Sequence, residues 1–224
     1  MNLYQDLIWN PREIEAIISE LKSVKLQPNV RSQNRKLIID KRSRFIPIPS
    51  NLRAVALDFE GNPPFLMGLM IQDELFFYYI TNKSFQRYFY LNVFTILRVL
   101  KRMIFFSFSN FEKKIIDFMY RELILKGYKL SDLNFIKNLK IYNLQESSYE
   151  SLTAALCKLN FLKTGDPLSR KSELINNLFE LLKKDHSISD FYIDIILEHN
   201  YYCLINMVLI LVYRFLEKIK MEVK

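Results

Sequence analysis

Asp58 and Glu60 sit one residue apart at the end of an apolar run, Arg53 to Leu57, that reads as a buried strand. Residues i and i+2 of a strand point to the same side, so the pair offers two hard oxygen ligands together, just before Gly61. Two neighbouring carboxylates repel unless a cation lies between them or one keeps a proton. Such a pair suits a divalent cation bound through oxygen. The alternative is a plain strand end followed by the polar turn Gly61-Asn62-Pro63-Pro64, which is how an isolated D-x-E would be read.

The elements that must position these carboxylates follow in order. Pro64 to Ile71 and Leu75 to Ile80 are strand-like, with Gln72-Asp73-Glu74 between them as a hairpin turn. A helical segment from about Ser84 to Lys101 leads to a short strand, Met103 to Phe106, and then to Ser107-Phe108-Ser109-Asn110-Phe111-Glu112. Asn110 is placed to cap a helix from Phe111 to Lys126, which Gly127 ends. Leu139 to Tyr142 reads as a fifth strand, and helices follow over Leu152 to Leu162, Ser169 to Lys184 and Ser189 to Lys218, with Gly165-Asp166-Pro167 as a turn between the first two.

Three motifs in this order resemble the RNase H-like DEDD 3′-5′ exonuclease superfamily, and within it the branch of predicted exonucleases of the YprB type. Leu57-Asp58-Phe59-Glu60-Gly61 is similar to the first motif, and Ser109-Asn110-Phe111-Glu112 to an N-x-F-D turn, with glutamate for the usual aspartate. Glu198-His199-Asn200-Tyr201-Tyr202-Cys203 is similar to an H-N-x-x-D motif, with Cys203 at the place of the last metal-binding aspartate. Tyr149-Glu150-Ser151-Leu152 to Phe161 is similar to an S-L-rich helix of that branch. The resemblance spans about residues 52 to 218. It implies an α/β fold, an RNase H-like mixed five-stranded sheet flanked by helices, with Asp58, Glu60 and Glu112 on adjacent central strands. It further implies that Asp58, Glu60 and Glu112 hold Mg²⁺ or Mn²⁺ and that His199 orients or deprotonates the attacking water. The partner would be the 3′ end of DNA or RNA. Asn110 and Asn200 would face the nucleic acid, and Phe59, Phe108 and Phe111 could stack on a terminal base.

Cys203 tests that implication physically. On a helix, His199 and Asn200 lie beside it, whereas Glu198 is displaced by about 140° and Asp194 lies farther round, so no nearby carboxylate replaces the missing aspartate. A thiol is a soft, poor ligand for magnesium. Three readings stay open: a weakened enzyme with one well-held metal, an enzyme using manganese or a water-mediated ligand, and a catalytically inactive RNase H-like protein retained for nucleic-acid binding or complex assembly. A small buried helix residue is the plain alternative for Cys203.

The first fifty residues form a small N-terminal extension to the domain over 51–224. Asn10, Pro11 and Glu13 start an amphipathic helix whose Ile14, Ile17, Ile18 and Leu21 share a face. From Arg31 to Arg44, the cations Arg31, Arg35, Lys36, Lys41, Arg42 and Arg44 oppose Asp40 alone, so the chain's net charge of +8 is concentrated there. Such a segment favours phosphate backbones, or is a solvated basic face; Leu37, Ile38 and Ile39 within it suggest a short strand or hairpin.

Half the residues are hydrophobic, enough for one substantial core. The two cysteines, Cys157 and Cys203, form no C-x-x-C pair, which argues against a disulfide framework or a structural zinc. No basic region followed by an apolar block opens the sequence, so a cytoplasmic location is expected. The apolar run from Tyr201 to Tyr213 is too short to span a bilayer and reads as a core helix, with no membrane partner.

Overall fold

The computed structural model describes residues 6–26, 33–38, 49–81, 83–147, 150–159, 174–184 and 189–222. Asn10 begins α1 (Pro11–Ser23) as its spacing predicts, its side-chain oxygen accepting a hydrogen bond from Arg12 N at 3.0 Å. The apolar face of α1, Ile14, Ile17, Ile18 and Leu21, is buried in the same core as the sheet. The N-terminal helix is thus joined to the main domain by continuous packing.

Six strands form one sheet in the order β1-β4-β3-β2-β5-β6: β1 (Gln33–Ile38), β2 (Ala54–Glu60), β3 (Leu66–Ile71), β4 (Glu74–Ile80), β5 (Ile104–Ser107) and β6 (Lys140–Asn143). β2, β3 and β4 are an antiparallel meander, and β2, β5 and β6 run parallel, so β2 to β6 make the expected five-stranded mixed sheet. The basic segment adds the sixth strand: β1 pairs antiparallel with β4, setting Arg35 opposite Tyr78 and Lys36 opposite Phe77. The rest of that segment, including Arg31, Lys41, Arg42 and Arg44, lies outside the described residues, as do the turn Gly165-Asp166-Pro167 and His186. At the β3–β4 turn Gln72 takes a φ of 54°, and its side chain reaches back to donate to the Ser50 carbonyl at 2.7 Å.

Helices cover both faces of the sheet. α2 (Gln86–Val99) joins β4 to β5, α3 (Phe111–Leu125) joins β5 to β6 through two helical turns, and α4 (Leu152–Lys158), α5 (Leu174–Lys184) and α6 (Ser189–Glu222) follow. α6 packs on β2 and β3 and against α4 and α5. A helix apolar on every side needs protein or lipid around it. Although Phe191–Arg214 is long and apolar enough to cross a bilayer, 72% of its most apolar stretch is buried inside the protein. It is therefore the core helix that the run from Tyr201 to Tyr213 suggested. α5 is fixed by Phe179, whose ring stacks on Phe65 with centroids 3.9 Å apart and planes 4° from parallel.

The start of α3 corrects one expectation. Asn110 makes no capping bond through its side chain; Ser109 Oγ accepts from Phe111 N at 3.1 Å instead. The turn is tightened one residue earlier because Ser107 Oγ donates to the Ser109 carbonyl at 2.8 Å, which leaves Asn110 pointing to solvent. Ser109→Ala is expected to cost about 1 kcal/mol in urea unfolding and Asn110→Ala a few tenths. Equal costs would return the cap to Asn110.

Candidate active site

Strand alternation and helix spacing bring four separated parts of the chain to one pocket. β2 carries Asp58 and Glu60 on the side facing α6, the first turn of α3 supplies Glu112, and α6 supplies His199 and Cys203, with Asn200 buried behind the two acids. The pocket has a volume of about 530 Å³, and Phe108, Phe111, Ile175 and Asn176 are among the residues of its wall. That is within the usual range for small-molecule sites. On its rim Asn176 Oδ1 accepts from Asn62 N at 3.0 Å, tying α5 to the turn after β2.

Asn200 holds the acidic pair in place. Its amide nitrogen donates to Asp58 Oδ2 at 2.7 Å and to Glu60 Oε1 at 3.1 Å, and the residue is 0% exposed. The oxygen of the same amide has no conventional donor. It lies where a β-carbon of Gly68 would be, 1.7 Å from that ideal position, so the Gly68 Cα–H group points straight at it. A weak Cα–H···O contact is what this geometry permits. Glycine on β3 is thus the condition for Asn200 to reach both carboxylates.

Burial and mutual repulsion push the acids toward their neutral forms. Asp58 is held well above the ordinary carboxylate range, first by desolvation and next by the charge of Glu60, with His199 pulling the other way. Glu112 is pushed up to about 8, first by desolvation and then by the charge of Asp58, although backbone N–H groups at the start of α3 oppose the shift. Asp58 and Glu112 are within hydrogen-bonding reach of each other, so without a cation the pair shares a proton near neutrality. Glu112 Oε2 is buried with no hydrogen-bond partner.

Asp58, Glu60 and Glu112, the last with its orphan oxygen, all line the pocket, and hard carboxylate oxygens suit a divalent cation. Among the described residues no fourth carboxylate lines the pocket: Cys203 does, and Glu198 and Asp194 on the same helix are exposed. A second ligand set is present beside the acids. One ligand atom each from Glu60, His199 and Cys203 lies within 4.8 Å of the other two: His199 Nε2 is 3.6 Å from Glu60 Oε1 and 3.7 Å from Cys203 Sγ.

The motif-derived residues divide clearly. Asp58, Glu60, Glu112, His199 and Cys203 meet in the pocket. Asn200 does not face a nucleic acid: it is fully buried and engaged with the two acids. Phe59 is 3% exposed, because the alternation that pairs Asp58 with Glu60 turns it to the opposite face, so it is no stacking platform. Phe111 is 42% exposed at the pocket and Phe108 is half-buried there. Asn110 is exposed beside the pocket without lining it. Gly68 and Asn176 escape motif reading. A lone glycine inside an apolar strand, one of only four in the chain, is the signal that marks the first. Asn176, in a plain polar stretch of the sequence, gives none.

Comparison with protein-family models, with curated proteins and with solved structures gives no match.

Proposed function

We propose that this protein is a metal-dependent 3′-5′ exonuclease of the DEDD type on an RNase H-like fold, hydrolysing phosphodiester bonds of DNA or RNA. The observation that carries this reading is the convergence of Asp58, Glu60 and Glu112, from two separate elements, on a pocket that also holds His199. Buried acids that repel one another are costly to keep unless a cation is to be bound. Asp58, Glu60 and Glu112 would hold Mg²⁺ or Mn²⁺. When bound, the cation neutralises charge on the phosphoryl group and acidifies the attacking water.

The chain's own groups do the rest. Asn200 keeps Asp58 and Glu60 aimed at the cation by donating to one oxygen of each. His199, beside Glu60, orients the water for in-line attack and accepts its proton. Phe111 and Phe108 stack against the terminal base, and the products are a nucleoside 5′-monophosphate and a shortened 3′ hydroxyl end. Arg35 and Lys36 belong to the edge strand β1, within the segment whose charge suits a phosphate backbone.

A second reading rests on two features: a thiol, Cys203, stands where the resemblance implies a carboxylate, and the Asn200 amide already satisfies one oxygen of each acid. It is a catalytically inactive RNase H-like protein that binds nucleic acid or assembles a complex. Incubation of 5′-labelled single-stranded DNA and RNA with Mg²⁺ or Mn²⁺ separates the two. The exonuclease gives a ladder shortening from the 3′ end that vanishes in Asp58→Ala/Glu60→Ala. No ladder from the wild type, with one gained in Cys203→Asp, would establish the inactive protein.

A further inference from the structure

We propose that Glu60, His199 and Cys203 form a zinc site with an open fourth position. This goes beyond the exonuclease reading and does not depend on it. The spacing of the ligand atoms is the first argument. Tetrahedral zinc with Zn–S of about 2.3 Å and Zn–N and Zn–O of about 2.0 Å sets sulfur about 3.6 Å from nitrogen and nitrogen about 3.3 Å from oxygen. The chain places Sγ 3.7 Å and Oε1 3.6 Å from His199 Nε2. The second of these is too long for an N–H···O hydrogen bond and close to the separation of two ligands sharing an ion.

The donor set is the second argument. A thiolate, an imidazole and a carboxylate suit zinc and disfavour magnesium. Two anionic ligands cancel the charge of a divalent ion, which a site as buried as Glu60 and His199 requires. His199 and Cys203 are four residues apart on α6 and so share a face, and the helix continues through both without a break. The third observation lies across the pocket, where Glu112, 4% exposed, presents its unpartnered Oε2 to the same space. That oxygen can accept from a water or phosphate-bearing ligand at the open position.

Zinc held this way occupies the Nε2 atom that would otherwise accept a proton, so it competes with hydrolysis supported by Mg²⁺ or Mn²⁺. The Cys203 thiolate therefore bears on which cation the pocket selects.

The test reads the thiolate directly. Cobalt(II) added to the metal-free full chain is expected to give one thiolate-to-metal charge-transfer band per chain, unchanged in Cys157→Ser and lost in Cys203→Ser and Cys203→Asp. In the wild type, one equivalent of Zn²⁺ is expected to slow alkylation of Cys203 by iodoacetamide roughly tenfold or more, as expected when the bound form dominates. Excess Mg²⁺ is expected to leave that rate unchanged. The alkylation arm needs no variant to fold. A missing cobalt band in the wild type, a band that survives Cys203→Ser, or alkylation of Cys203 indifferent to Zn²⁺ would each overturn the site. Nucleolytic activity enters none of these readouts, so failure of the exonuclease reading leaves them intact.

Discussion

In EDTA, the protein is expected to lose thermal stability as the pH rises from 5 to 9, and Glu112→Gln is expected to remove the part of that loss that Glu112 carries, leaving the part due to Asp58. Glu112 ionises near 4.3 in an unfolded chain and at about 8 in the folded one, with burial the main cause and the Asp58 charge the next. Between those values the folded state holds more protons than the unfolded state, so stability falls with pH. The contribution is complete below about pH 4 and is gone once the pH has passed the folded value. A shift of this size corresponds to something on the order of 4 kcal/mol, or about 10 °C in Tm for a chain of this length. Saturating Mg²⁺ or Mn²⁺ should flatten the profile of the wild type, because the cation takes the place of the proton. Parallel wild-type and Glu112→Gln profiles by scanning calorimetry would show that this carboxyl is not the buried proton carrier.

Gly68→Ala is expected to be strongly damaging. The new carbon would stand 1.7 Å from Asn200 Oδ1, 2.9 Å from its Cγ and 3.0 Å from a Leu204 methyl. Asn200 is fully buried and has nowhere to swing without releasing Asp58 and Glu60. Overpacking costs about 1 to 3 kcal/mol, and each hydrogen bond to a charged acceptor about 1.5 to 3 kcal/mol, so a loss of roughly 3 kcal/mol or more is expected. The cycle with Asn200→Ala makes the cause specific. If the clash is with the amide, the double variant costs clearly less than the two single losses added together in urea unfolding. Simple additivity would place the strain elsewhere.

Much of this arrangement is legible along the chain because its signals are local. Alternation gives Asp58 and Glu60 a common side, turn residues give the β3–β4 hairpin, and the i, i+4 spacing sets Cys203 beside His199. The same alternation, applied one residue further, would have buried Phe59. What is not legible depends on pairing across distance. The basic segment contains a short apolar run, but nothing local states that it completes the sheet beside β4. Asn200 next to a histidine resembles a ligand-facing residue until the opposing strand is seen to lack a side chain at Gly68. Ser109 and Asn110 are both good caps, and the choice between them is made by Ser107.

The bond from Asn200 to Asp58 joins residues 142 apart, and that from Asn200 to Glu60 joins residues 140 apart. The acidic strand and its hairpin are local and are made well before the helix whose amide they meet. During synthesis Asp58 and Glu60 therefore have no amide to meet, and the nascent sheet keeps that face wet until α6 docks. Docking of that helix covers the face and sets the two carboxylates, and α5 adds its part of the pocket wall.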